Sequence, residues 1–141
     1  MTAVQIDSQH NSLALGGQAD VVNRYFTFFN LGEYQRVAEL FTPTGVLYPP
    51  FEPPVEGKDR ILDYLLKEAE GMQVSLLSAE TKAVEDNQLQ VDLRGSVTAL
   101  VFKVNVTWQF VVTDDSTIQS VRVDLVATLE ELLKIRPESA T

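Results

Sequence analysis

The sequence predicts an α+β fold, in which helices on the N-terminal side pack on a curved, mostly antiparallel sheet that encloses an apolar pocket. Three observations predict it. Apolar residues recur at helical spacing from Asp20 to Gly71, and from Met72 onward the period becomes two. Between the second and third helices lies Tyr48-Pro49-Pro50-Phe51-Glu52-Pro53-Pro54. Each proline there fixes φ near −65° and removes a backbone donor, so the stretch is a stiff, extended connector.

The elements follow in order. Residues 1–18 read as a flexible arm ending in Gly16-Gly17, with Leu13-Ala14-Leu15 as a short apolar anchor; 19–136 form the domain and 137–141 a tail. Helix one starts at Asp20, places Val21, Tyr25, Phe28 and Phe29 at helical spacing, and stops at Gly32. A second helix, Glu33 to Phe41, ends at Thr42-Pro43-Thr44-Gly45, and Val46 to Tyr48 is a short strand. Helix three runs from Lys58 to Glu70 on a stripe of Ile61, Leu62, Leu65, Leu66 and Ala69, with Gly71 as its cap. Four strands follow at 73–84, 87–101, 104–114 and 117–127. Turns are expected at Glu85-Asp86-Asn87, near Phe102-Lys103, and at Asp114-Asp115-Ser116. Thr128 then caps a last short helix that ends before Pro137.

Composition narrows the function. A chain of 141 residues is one domain, burying roughly 65–70% of its unfolded surface. With 45% apolar and 22% charged residues it is ordinary globular material, and no apolar stretch is long enough to span a bilayer. Met1 to Gly17 does not read as a secretory signal, so a cytoplasmic location is expected. The absence of cysteine excludes disulfides, thiolate metal sites and cysteine nucleophiles, and His10 alone makes neither a catalytic dyad nor a zinc site. A net charge of −9 argues against nucleic acid as a partner.

Candidate residues come from the aromatics. Tyr25, Phe26, Phe28 and Phe29 point in several directions around helix one, so they form either a large aromatic core or the lining of a cavity. Trp108 alternates with Val104, Val106, Phe110 and Val112 on the apolar strand face. A buried phenol and a buried indole each need a hydrogen-bond partner. Core residues bonded to backbone carbonyls would satisfy that need, as would an apolar ligand ending in a carbonyl. The carboxylates are poorly placed for catalysis. Asp92 and Asp124 alternate with apolar residues and should face outward, Glu68 and Glu70 read as surface charges, and Met72 and Val74 read as core.

Leu40-Phe41-x-x-x-Gly45-Val46 followed by Gly57-x-x-x-Ile61 resembles the nuclear transport factor 2-like superfamily, a cone-shaped α+β fold with a pocket. A more specific set carries the likeness further: Arg24-Tyr25, Tyr48-Pro-Pro-Phe-Glu52, Val55-Glu-Gly-Lys58, Leu65 to Gly71, Gly95-Ser-Val97, Val104-Asn-Val106, Trp108-Gln-Phe110, Asp124-Leu-Val-Ala127 and Glu131-Leu-Leu133. In this order and spacing they resemble the C-terminal domain of the cyanobacterial orange carotenoid protein family and its free-standing homologues, over about residues 19–136. The resemblance implies a ketocarotenoid of the echinenone or canthaxanthin type, no metal, and Tyr25 and Trp108 as donors to its ring carbonyl. It also implies a tunnel wall at Phe29, Met72 and Val74, to which Phe110 on the strand face of Trp108 is assigned, and a partner-docking role for Glu68. The chain departs from the family at Val101, where a second tryptophan is expected, and at Phe102, where free-standing relatives carry a cysteine.

The function expected from this likeness is non-catalytic binding and transfer of a ketocarotenoid, linked to photoprotection. The partners would be a second copy of the chain sharing one pigment, helical carotenoid-binding proteins in transfer, and a membrane touched transiently during loading. Two other readings stand beside it. One is an isomerase- or cyclase-type enzyme on the same fold, and the other a pigment-free dimeric interaction module. The proline loop is expected to brace the strand and orient helix three without touching ligand.

Overall fold

A computed structural model describes residues 2–7, 12–13 and 15–126. The α+β arrangement expected from the sequence is the one the chain adopts. Helices α1 (Asp20–Leu31), α2 (Tyr34–Glu39) and α3 (Lys58–Glu68) pack on one sheet. Its strands are β1 (Thr2–Asp7), β2 (Ser12–Leu13), β3 (Phe41–Tyr48), β4 (Val55–Glu56), β5 (Gln73–Ala83), β6 (Leu89–Ala99), β7 (Phe102–Val112) and β8 (Ile118–Val126). They lie in the order β2-β1-β5-β6-β7-β8-β3-β4. Every neighbouring pair is antiparallel except β3 with β8.

The helix α1 ends because Gly32 adopts φ 76°, in the left-handed region, which lets Glu33 N donate to Phe28 O (2.9 Å) and Gly32 N to Phe29 O (3.0 Å). Its buried face, Val21, Val22, Tyr25, Phe26 and Phe29, rests on the inner face of the sheet. The inner face follows from the pleat: Val91 and Leu93 on β6, Val106, Trp108, Phe110 and Val112 on β7, and Val121 on β8 are all buried. α2 is tied to the end of α3 by Tyr34, whose buried hydroxyl donates to Ala69 O at 2.8 Å.

Four expectations need correction. Phe41 is not the end of a helix; it opens β3, which is eight residues long and not three, because parallel pairing with β8 (Phe41↔Ile118, Val46↔Ser120) draws Thr42 to Gly45 into a bulged strand. The β6–β7 turn falls on Leu100 and Val101, before the expected Phe102-Lys103, since Ala99 pairs with Phe102. Helix three closes two residues early, at Glu68. Part of the segment read as a flexible arm is a strand: Thr2–Asp7 pairs with β5 (Thr2↔Thr81, Gln5↔Ser78), whose edge otherwise offers unpaired N–H and C=O groups. Of the expected Leu13-Ala14-Leu15 anchor, Leu15 packs against the core. Ala14, the closing helix and the tail lie outside the described residues.

The turns at Glu85–Asn87 and around Asp115 fall where the sequence places them. Asp115 accepts from the hydroxyls of Thr113 and Thr117, and these bonds, Thr113's first, hold its carboxyl below the usual range. Gln18 reaches across the base of the sheet, donating to Asn87 O (2.8 Å) and Thr113 O (2.7 Å).

The sheet is bent where β5 carries a bulge between Leu76 and Ser78, opposite Gly95. A Cβ at Gly95 would stand 2.3 Å from Ser75 O and 3.0 Å from Leu76 Cα. Both are backbone atoms of a central ladder and cannot swing aside. Gly95→Ala is therefore expected to destabilise the fold by about 2 kcal/mol, measured as a lower urea midpoint. An unchanged midpoint would mean that the bulge has slack that the packing does not suggest.

Candidate ligand-binding cavity

Between α1, α3 and the concave face of the sheet lies a cavity of about 340 Å³. Tyr25 and Phe29 of α1 form one side, Leu65, Glu68 and Ala69 of α3 another, and Val97, Val106, Trp108 and Val123 the floor. Met72 and Val74 close the end where α3 hands over to β5. The proline loop supplies the rim: Pro49, Pro50, Phe51 and Glu52 line the opening. The loop, expected to brace the strand and orient helix three without touching ligand, thus also lines the cavity opening. Its stiffness fixes the lip of the cavity, and Glu52 is held there by Tyr64, which donates to it at 2.7 Å.

Six of the seven expected site residues meet at this cavity: Tyr25, Phe29, Glu68, Met72, Val74 and Trp108. The seventh, Phe110, is fully buried and stands behind the wall. Its ring meets Tyr25 edge-on, with centroids 5.0 Å apart and planes at 88°. Phe26 meets Trp108 in the same way at 5.1 Å and 81°. Such edge-to-face contacts fix ring orientation as well as burying area. Thus the phenol and the indole that mark the cavity are each locked by a second aromatic ring.

Their polar atoms are free. Neither the Tyr25 hydroxyl nor the Trp108 indole N–H donates to another described residue, and among the described residues no buried side-chain nitrogen or oxygen lacks a partner. Both residues line the cavity. Burial, and then the neighbouring Tyr64, push the Tyr25 phenol well above its ordinary pKa. Burial also raises Tyr64, followed by its bond to Glu52 and the charges of Glu52 and Glu68. Tyr25 is thus a neutral donor across the physiological range. An apolar cavity holding two neutral donors and, among the described residues, no buried charge suits an uncharged ligand with an acceptor at one end.

Asp92 and Asp124 face outward, as the alternation requires. With Glu80, Arg94, Gln109 and Arg122 they line a separate polar cleft on the opposite face, where Arg122 stacks on Tyr48 at 4.3 Å. The carboxylates near the cavity are Glu52 and Glu68, both exposed on its rim. Sequence reasoning missed Tyr64 and Glu52. Tyr64 is three residues after Ile61 and so on the inner stripe of α3, a signal that was available. Nothing local to Glu52 reports the partner twelve residues away.

Comparison with known proteins adds to this geometry. Residues 22–130 match the model of the SnoaL-like domain. The chain is 31% identical over 119 residues to an orange carotenoid-binding protein of Synechocystis sp., covering 82% of this chain and 37% of that one. It superposes with TM-score 0.77 and 25% identity on the orange carotenoid protein of Anabaena (Nostoc) sp. binding canthaxanthin, covering 95% of this chain and 42% of the other. A putative polyketide cyclase of Sinorhizobium meliloti shares the fold alone, with TM-score 0.60 and 22% identity over 74% of this chain and 93% of its own. The chain spans about two fifths of the length of the carotenoid-binding relatives.

The phenol shifts imply a pH dependence. A tyrosine raised in the folded state stabilises the fold fully below its unfolded pKa of 10.0, and that contribution is lost as pH climbs toward the folded value. Alkaline titration followed at 295 nm, beside circular dichroism, should show Tyr25 and Tyr64 ionising only as structure is lost above pH 10. Ionisation of all four tyrosines with the fold intact would contradict the burial described.

Proposed function

The chain belongs to the SnoaL-like domain family and is a homologue of orange carotenoid protein over its C-terminal domain region; from that premise we propose that it binds and transfers a ketocarotenoid without catalysing a reaction. The observation that carries the proposal is the pair of unbonded donors, Tyr25 and Trp108, on the wall of one apolar cavity. A conjugated ring ketone presents one acceptor on an otherwise apolar body, which matches two N–H and O–H donors and no charge. Phe29, Met72 and Val74 would flank the ring, Phe110 would hold Tyr25 in place, and Glu68 on the rim would meet a docking partner.

A cavity of about 340 Å³ takes a ring and the start of a polyene, not a whole carotenoid. The remainder of the pigment would leave through the mouth and need cover from a second body. A second copy of the chain supplies that cover symmetrically, giving a homodimer around one pigment that hands it on to helical carotenoid-binding proteins in the cytoplasm as part of photoprotection. The outward position of Asp92 and Asp124 supports a carrier over an isomerase or cyclase, since among the described residues it leaves no buried carboxylate inside the cavity.

Expression in cells that make a ketocarotenoid should yield a coloured protein, and a colourless one sinks the proposal. Each donor hydrogen bond is worth about 1 kcal/mol. Tyr25→Phe with Trp108→Phe should therefore weaken pigment binding by roughly tenfold or more and blue-shift the absorption band. An unchanged spectrum and affinity would remove these two residues from the role.

A further inference from the structure

The β6–β7 hairpin turns on Leu100 and Val101, which are 93% and 90% exposed, and Phe102 behind them is 69% exposed. Local physics disfavours this turn. Leu100 sits at φ 56°, a left-handed conformation that costs a residue with a Cβ, where two-residue hairpins ordinarily use Asn-Gly or Gly. The tip is uncharged from Ala99 to Phe102, and Lys103 is the first charge after it. It is also continuous with the cavity: Ala99 pairs with Phe102 and Val97 with Val104, and Val97 and Val104 line the wall.

We propose that Leu100, Val101 and Phe102 form a lipid-docking tip that inserts into a neutral phosphatidylcholine-type surface and brings the β6–β7 wall of the cavity to the bilayer. The ligand delivered there rests on the carotenoid reading above; the docking itself does not. One observation favours lipid over protein, and a second favours neutral over anionic lipid. Three side chains on a convex hairpin end fall far short of the roughly 20–30 residues and ~800 Å² a side of a standard protein interface, whereas a fluid acyl phase closes around any shape. Net charge −9 repels anionic surfaces, but the tip carries no acid of its own and meets no such penalty at neutral lipid. Among the described residues no helix is long and apolar enough to cross a membrane, so docking stops at the interface.

The cysteine-free sequence makes the test direct. Pigment-free Val101→Cys, labelled with an environment-sensitive fluorophore, is mixed with pigment-free phosphatidylcholine vesicles. Its emission should blue-shift and rise several-fold, while the same label at Leu77→Cys, an exposed apolar site on β5, should not respond. Unlabelled Leu100→Ser with Val101→Ser should float with vesicles about tenfold less than the parent. Three results overturn the proposal: no response at 101, an equal response at 77, or unchanged flotation with loss of a concentration-dependent dimer, which would give the tip to a second copy. Pigment plays no part in these measurements. Whether the double-serine variant still colours in pigment-producing cells reads the carotenoid site separately.

Discussion

Much of the site depends on one packing constraint: α1 presents Tyr25 and Phe26 side by side to a single strand, β7, where Trp108 and Phe110 are two residues apart on one face. Four large rings cannot stack in a plane at that spacing. They interlock edge to face, while Tyr25 also stacks on Phe29 at 6.2 Å and meets Phe41 edge-on at 6.3 Å. The cluster sets how closely α1 approaches the sheet. α3, on its own stripe of Ile61 and Leu65, then meets the space left beside the rings. The cavity is that space, with the hydroxyl and the indole N–H at the margin of the cluster.

The two faces of the sheet are electrostatically separate. The inner face of the sheet is apolar, and the two phenols at the cavity wall, Tyr25 and Tyr64, are kept protonated first by burial, while the carboxylates Glu52 and Glu68 stand exposed on the rim. Charge of both signs collects on the outer face, where Arg94, Arg122, Asp92 and Asp124 stand in two adjacent cross-strand rows. A strand cannot tilt a carboxylate from one face to the other without a one-residue slip that would also expose its valines. The alternation that builds the core thereby keeps the strand carboxylates Asp92 and Asp124 out of the cavity.

Much of this is legible in the chain. Trp108 and Tyr25 can be assigned because pleat and helix periodicities tell which face each occupies, and the hairpin at Asp114-Asp115-Ser116 can be placed because its residues favour turns. The features that escape are non-local. Thr42 to Gly45 reads as a stop after a helix, and only β8, some 75 residues later in the chain, makes it strand. Thr2–Asp7 reads as a polar arm until the edge of β5 is available. Leu100-Val101 reads as strand because nothing in its chemistry asks for a turn. Glu52 acquires its position from Tyr64, and the proline loop becomes a rim only when α3 stands opposite it.

The parallel pair of β3 and β8 sets an order of events in folding. Phe41 pairs with Ile118, and among the described residues β3 has no neighbour other than β8 and the two-residue β4. The loop closed by that pairing spans most of the domain, and such long closures come late because their entropy must be met before any contact rewards it. β5 to β8 can form as a meander of neighbouring hairpins, but the proline lip and α3 are anchored to β3. The wall carrying Trp108 is therefore expected to exist before the lip does, and on a ribosome the lip cannot be seated until the last described strand has emerged. The binding site is in this sense the final product of folding, assembled from the two ends of the domain after its middle is already in place.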